Sequence, residues 1–447
     1  MKENLRRTYT DVAGLDAVVN DGTRDRRSAV YAAGGHRVWV MNYEKLWADE
    51  AGLAALTAGR RVLWVLDEAH KVIGGDEGQN RARKALDRLV AGCEATVWPM
   101  SATVVGGNPL RYRDVFSLDG EPSRNPLSTK SDFVDRYAQG VSHVPVLTPG
   151  GRQYSFTAYD WDLHALHDVR HRVGDRTMAV RKTDPGVRDQ FRGMQTVPVM
   201  VQPTPQTRAL LDGVTALARD ARSRGEGLAP WYVISRVACV NPEALLRSTS
   251  PQAAIVAAEM PGLLSAEHSA KIRVLNDMLE SIQQAQDKTV VFCHWTELGL
   301  LTLAPHVTVT HVLHHGGQTT EDSQRAQDRF KADPAVTAFL SSDAGTHGLN
   351  LQEARYVINV DPVYSYDDLV QRNSRIDRAD SHLDGLTAYV LITEGSVEER
   401  VWRVCEERRQ LASAVQGTQE RLSYGEDGPR PASRPESANL DWLMFGD

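Results

Sequence analysis

This sequence contains no Gly-Lys dipeptide anywhere in its 447 residues. A P-loop, G-x-x-x-x-G-K-[ST], wraps backbone N–H groups around phosphates and sets a lysine against them, so the sequence holds none. Cysteine is scarce: Cys93, Cys239, Cys293 and Cys405 lie far apart, with no CxxC pair. That spacing argues against a zinc site or a disulfide framework and fits buried free thiols in a reducing compartment. No apolar run approaches the ~18 residues of a membrane span. The opening MKENLRRTYTDVAG lacks the apolar core of a signal peptide, so a cytoplasmic location is expected. Neither sign of charge dominates, since the formal net charge is −7. This argues against a histone-like coating protein, yet a local basic groove for nucleic acid is still allowed.

Hydrophobic residues make up 41% of the chain, enough for sizeable cores. At ~100–200 residues per domain, two or three domains are expected. Two blocks alternate apolar strands with amphipathic helices, the pattern of parallel α/β sheets. In the first, HRVWVM (36–41), RVLWVL (61–66) and ATVWPM (95–100) read as buried strands. A helix over 78–91 puts Ala82, Ala85, Leu86, Leu89 and Val90 on one face. Residues 104–178 are rich in Pro, Gly, Arg and aromatics and read as a helical or loop-rich insertion. TVPVMVQPTP (196–205) reads as an extended connector, and 207–268 as mostly helical. The second block is cleaner. Ile272, Leu275, Leu279 and Ile282 line a helix, followed by the strands TVVFC (289–293), VTVTHVL (307–313), VTAFLS (336–341), YVINV (356–360) and LTAYVLI (386–392). Helices fit near 320–332 and 396–415. The predicted organisation is an N-terminal lobe 1–205, a C-terminal lobe 206–416 and a disordered tail 417–447. The final LDWLMF of the tail fits either a docking motif or an idle apolar patch.

Four short stretches could carry chemistry. RVLWVL runs into Asp67 and Glu68, then Ala69 and His70. Phosphoryl transfer needs a metal bridging phosphate oxygens and a group orienting the attacking water, and a strand ending in Asp-Glu can supply both. Acids at a helix N-terminus read the same way. Ser101-Ala102-Thr103 follows the next strand, as linking hydroxyls or as ordinary caps. LSSDAGTHGLNLQEARYVINVDP (340–362) is strand, loop, strand. Gly345 and Gly348 suit either close approach to a nucleotide or a tight turn, and Ser342 could donate to a nucleic-acid phosphate. In QRNSRIDR (371–378), Gln371, Arg375 and Arg378 are spaced i, i+4, i+7, so a helix would align them. Two guanidinium forks on one ridge suit a γ-phosphate whose charge grows in the transition state. A solvated charged face has the same spacing.

Taken in order, these stretches resemble the Swi/Snf-type branch of the superfamily-two helicases. VLDEAH resembles motif II, MSAT motif III, TVVFCHW motif IV, FLSSDAGTHGLNLQEARYVINVDP motif V and QRNSRIDR motif VI. Weaker echoes occur in VMNYEKL, MAVRKTDPGVRDQF, HHGGQTTEDSQRAQDRF and ITEGSVEERV, so the likeness runs from about 17 to 415. It implies an α/β fold of two RecA-like lobes with parallel sheets, with ATP and Mg²⁺ between them and duplex DNA across both. It makes Asp67 the Mg²⁺ residue, Glu68 the water residue, and His70 the coupling residue together with Ser101 and Thr103. Arg375 and Arg378 become arginine fingers beside Gln371, Gly348 and Asn350 lie near the nucleotide, and Ser342 near a DNA phosphate. The sequence departs from the branch at Thr346-His347, at Ser374 and at Ala379-Asp380-Ser381.

GLDAVVNDGTRDRRSAVYAAGGHRVWVMNYEKL (14–46) resembles the segment after motif Ia. The resemblance therefore implies a first lobe lacking its P-loop strand, with the apolar RVLWVL left at an edge. A separate P-loop-bearing polypeptide acting in trans, a truncated reading of a longer protein, and a chain that has given up hydrolysis for DNA or protein binding are the expectations this raises.

Overall fold

The computed structural model describes residues 2–73, 81–101, 108–118, 125–147, 153–178, 184, 186–187, 191, 193–343, 349–378, 381–416 and 440–446. They fall into two compact units. The first lies within 1–142, 159–177 and 410–417, the second within 143–158, 178–409 and 418–447.

The first unit holds two small parallel sheets. β1 (Ala17–Val19) pairs with β2 (Val38–Val40), and β3 (Arg61–Asp67) pairs with β4 (Glu94–Met100) from Arg61↔Glu94 to Asp67↔Met100. Helix α1 (Arg24–Ala33) follows β1, capped by the Thr23 hydroxyl, which accepts from the Arg26 N–H. Helix α2 (Arg81–Ala91) buries Ala82, Ala85, Leu86, Leu89 and Val90, the five residues its periodicity picks out. They join Leu66 of β3 in one core, against which Trp64, Ala95 and Val97 pack. The opposite face of the same two strands is open: Leu63 is 50% exposed, Val65 36%, Trp98 59% and Met100 44%. RVLWVL is therefore buried on one side only. Among the described residues β4 is its one strand neighbour.

The segment read as an irregular insertion is more ordered than expected. α3 (Lys130–Tyr137) starts on a capping box between Thr129 and Asp132. β5 (Ala138–Leu147) and β6 (Gln153–Trp161) form a two-stranded sheet, and α4 (Leu163–Val173) follows. QYSFTAYDW carries the β-branched and aromatic residues of a strand, a signal the Pro and Gly around it obscure.

The second unit is built on a six-stranded sheet in the order β7-β12-β11-β8-β10-β9, in which every described pairing is parallel. Its strands are β7 (Met194–Val201), β8 (Thr289–Cys293), β9 (His311–His314), β10 (Ala338–Ser342), β11 (Tyr356–Asn359) and β12 (Leu386–Thr393). β8 and β10 are buried at every position. Alternate residues point to opposite faces. Val291, Cys293, Leu340, Ile358 and Leu391 pack with Leu275, Leu279 and Ile282 of α7, whereas Val290, Phe292, Phe339 and Val357 pack with Phe330. The helices of this unit are α5 (Pro205–Ser223), α6 (Ala229–Val240), α7 (Ala270–Gln284), α8 (Thr320–Ala332), α9 (Tyr366–Asn373), α10 (Val397–Gln416) and α11 (Leu440–Phe445).

Two expectations need correcting here. TVPVMVQPTP is not a connector between sheets. Residues 194–201 form an edge strand of the second sheet, paired along their whole length with β12. An edge position tolerates Pro198, which has no N–H to donate. The tail is not unstructured throughout either, since α11 is helical with Leu443 and Met444 each 3% exposed. Residues 417–439 lie outside the described residues.

A buried ion pair ties the start of α10 to α7. Lys271 Nζ lies 2.7 Å from Glu398 and donates to the Val360 carbonyl at 2.6 Å, while Glu398 Oε2 accepts from the Thr393 N–H at 2.8 Å. All four cysteines are free. Burial pushes the Cys239 thiol up to about 12, so it is inert at neutral pH.

Candidate functional site

Asp67 ends β3 at the carboxyl edge of a parallel sheet, the edge where open α/β folds bind ligands. Its side chain is exposed, and its backbone carbonyl accepts from the Tyr43 hydroxyl at 2.6 Å. Glu68 follows in the left-handed region at φ 54°, ψ 51°. A non-glycine residue held there costs ~1–3 kcal/mol, and such strain gathers at functional sites. The strained peptide turns the chain sharply into a 3₁₀ turn, Ala69–Lys71. That turn brings His70 Nδ1 to 3.3 Å from Glu68 Oε2 and 3.0 Å from Ser101 Oγ. Asp67, Glu68, His70 and Ser101, predicted together from sequence, are thus gathered at the ends of β3 and β4. Burial, then the charges of Asp67 and Glu68, push the Tyr43 phenol well above its usual range, so it stays a neutral donor. Thr103 lies outside the described residues.

No group of three or more His, Cys, Asp or Glu side chains among the described residues could cage a metal. One exposed carboxylate at a strand end still fits Mg²⁺, which keeps waters and takes other ligands from phosphate oxygens.

In the second unit the charged residues collect where β8, β10 and β11 end. Arg372, 1% exposed, donates from Nε to Asp343 Oδ1 at 2.6 Å, from Nη2 to Asp343 Oδ2 at 2.9 Å, and from Nη1 to Asn359 Oδ1 at 3.1 Å. Asp343 also lies 2.6 Å from His294 Nδ1. Burial would raise the Asp343 carboxyl, but the Arg372 charge and the hydrogen bonds from His294 and Arg372 outweigh it and hold it well below the carboxylate range. Asp361, fully buried, accepts from the His294 N–H at 3.1 Å and lies 3.6 Å from Arg236 and 3.7 Å from Arg372. Arg372, Asp343, Asp361, His294 and Arg236 were missed from the sequence, because Arg372 sits among three arginines and nothing local says which one turns inward.

The predicted arginine ridge is not a helix. α9 ends at Asn373, so only Gln371 of the three ridge residues is helical. The side chain of Asn373 donates to Thr196 Oγ1 at 3.3 Å, and Ile376 is fully buried. The Arg375 carbonyl is taken by the Leu351 N–H at 3.1 Å, so the chain leaves the helix. Arg375 Nε donates to the Gln371 carbonyl at 3.1 Å. Arg378 Nη2 donates to the Leu349 carbonyl at 3.0 Å, while its buried Nε has no acceptor among the described residues. Both residues are half-buried, in the irregular stretch after α9 instead of on a helical face.

Ser342 does not fit the predicted phosphate contact. It is fully buried, and its hydroxyl accepts from Thr296 Oγ1 at 2.9 Å. Asn350 is half-buried, and its Oδ1 has no partner among the described residues. Gly345 and Gly348 lie outside the described residues, as do Ala379 and Asp380.

A parallel six-stranded sheet with helices on both faces and its charged groups at the strand ends is an α/β, RecA-like arrangement. The chain is similar to Swi/Snf-type, helicase-like proteins of superfamily two. Residues 270–380 match the helicase conserved C-terminal domain. An uncharacterized ATP-dependent helicase of Bacillus subtilis (strain 168) is 23% identical over 308 residues, which is 65% of this chain and 54% of that protein. Protein CHROMATIN REMODELING 19 of Arabidopsis thaliana is 31% identical over 160 residues, 34% of this chain and 21% of that protein. The chain thus spans about half the length of the first relative and far less of the second. Among solved structures, the Sulfolobus solfataricus SWI2/SNF2 ATPase core in complex with dsDNA covers 92% of this chain and 78% of its own, at 17% identity and a TM-score of 0.39.

Proposed function

We propose that the chain is part of a DNA-dependent ATPase that couples ATP hydrolysis to movement on, or remodelling of, duplex DNA. Asp67 would hold Mg²⁺, Glu68 would orient the attacking water, and His70 with Ser101 and Thr103 would couple hydrolysis to motion. Arg375 and Arg378 balance the charge that grows on the γ-phosphate, with Gln371, Gly348 and Asn350 beside the nucleotide. The observation that carries the reading is Glu68, a carboxylate held in the left-handed region directly after a strand-end aspartate and within reach of His70. The Nε of Arg378, with no acceptor among the described residues, adds to it, since such a donor suits an incoming anion. Mg²⁺, when bound, would neutralise phosphate charge. The chain's own residues position the water and hold the arginines.

The phosphate cradle comes from polypeptide outside these 447 residues, and a separate P-loop-bearing chain is the version favoured here. The open face of β3 and β4 offers it apolar surface to cover. The test is ATP turnover with duplex DNA, by the chain alone and with a supplied βα polypeptide bearing G-x-x-x-x-G-K-T. Little turnover is expected alone and turnover with the supplement. Glu68→Gln and Arg378→Ala should each then reduce it by ~10²–10³-fold, the usual cost of removing one preorganised catalytic group. Persistent inactivity of the supplemented wild type, with DNA binding indifferent to ATP, would favour a non-hydrolysing DNA- or protein-binding scaffold. A cytoplasmic location is part of the same proposal.

A further inference from the structure

The hexapeptide LDWLMF (440–445) is seated in a groove of the second unit whose walls are α5, α6 and the start of α10. Leu443 packs with Val397, Val401 and Val404 of α10, and Met444 joins the core of α5 and α6. Both anchors are 3% exposed. Four arginines surround them. Arg222 Nε pairs with Asp441 at 2.7 Å, and Arg219 and Arg222 each lie 5.4 Å from the Phe445 ring centroid. Arg403 lies 5.6 Å from the Trp442 ring centroid. Arg400 donates from Nε to the Leu443 carbonyl at 2.6 Å and from Nη2 to the Met444 carbonyl at 3.0 Å. Those two carbonyls belong to the last turn and have no partner within the helix. Gly446, at φ 78°, closes that turn by donating its N–H to the Trp442 carbonyl at 2.8 Å.

A helix of six residues is not stable alone in water. Its helicity is therefore conferred by the groove, which matches the segment in shape, charge and carbonyl pairing. Two buried aliphatic anchors inside a rim of arginines and aromatics is the layout of a peptide-recognition interface. The segment joins α10 through residues 417–439, rich in Pro, Ser and acidic residues, so its contacts to the groove are non-covalent.

We propose that this groove is a peptide-docking site occupied in cis by the chain's own segment 440–445. A partner protein takes its place with a short helix of the same chemistry: an aspartate in the first turn, adjacent aliphatic anchors, and flanking Trp and Phe. The inference does not depend on the ATPase reading.

The experiment uses a fluorescently labelled peptide of residues 437–447 and a chain ending at residue 439, with binding followed by anisotropy. Saturable binding to the shortened chain is expected, at least tenfold weaker on the full chain because the tethered copy competes. A peptide carrying Trp442→Ala and Phe445→Ala should lose at least tenfold, and Arg400→Ala in the shortened chain should lose a comparable factor. If the shortened chain does not fold, as judged by circular dichroism, the full chain carrying Leu443→Ser and Met444→Ser releases the segment within an intact protein. It should then bind the peptide. No binding to either released form, or equal binding to the full chain, overturns the proposal. So does a released form that ignores the peptide and gains affinity for duplex DNA, since the arginines would then serve phosphates.

Discussion

TVVFC in the second unit and RVLWVL in the first are both short, apolar and parallel-paired, yet their surroundings differ. All five positions of β8 are buried, with helices on both faces of its sheet. β3 buries Leu66 against α2 and leaves Leu63 and Val65 exposed beside Trp98 and Met100 of β4. Parallel sheets are normally covered on both faces, which is why their strands read as continuous apolar runs. β3 has the composition of a strand with two covered faces and the exposure of a strand with one. An apolar run therefore records what a strand is suited to pack against, which can exceed what packs there.

The contrast can be tested from both sides. The largest effect is expected in the complete unit, where Lys271→Met leaves Glu398 buried without its cation. A loss of ~3–5 kcal/mol is expected by urea unfolding, the usual cost of removing one partner of a buried pair. Leu86→Ala on α2 tests the covered face of β3 and β4, with an expected loss of ~2–5 kcal/mol, since Leu86 is fully buried. On the open face, Trp98→Lys should change stability by no more than ~0.5 kcal/mol while reducing binding of an apolar dye. A loss in the range of Leu86→Ala would mean that the face is covered after all.

The smallest effects are in pH dependence, and they oppose one another within the second unit. Burial pushes Glu407 up to about 7, against the pull of Arg403 and Arg408 and with help from Glu406. The folded form then holds its proton more tightly than the unfolded one. Its contribution is complete below 4.5 and is lost as the pH rises through 7. Asp343 is depressed, so its contribution is complete above 3.8 and is lost as the pH falls through its folded value. Melting temperatures across pH should lose the neutral decline in Glu407→Gln and the acid decline in Asp343→Asn.

Much of the fold was legible where the periodic signal was local and strong. α2 and α7 fall where apolar spacing predicts them, α8 and α10 fall where helices fit between the predicted strands, and β8 matches its run of β-branched residues. The misreadings come from partners distant in sequence. β7 reads as a linker until β12 is there to pair with it. The turn after Asn373 is fixed by Leu351 and Thr196, which no window around QRNSRIDR contains. Among the candidate site residues, the juxtaposition of Asp67, Glu68, His70 and Ser101 could be read because two strand ends announce it. Arg372 could not, because its inward turn depends on Asp343 and Asn359. LDWLMF shows its apolarity openly, but the groove that orders it draws on helices from both ends of the second unit.

Because α9 stops at Asn373, Arg375 and Arg378 are strapped by their own backbone and side-chain bonds to the stretch 349–351. A shift of that stretch would pull on the Arg378 guanidinium through Leu349 and on the Arg375 backbone through Leu351, while the Arg375 guanidinium stays bonded to the Gln371 carbonyl of α9. The two arginines therefore answer to different anchors, Arg378 to the strand-leading stretch and Arg375 to the end of α9.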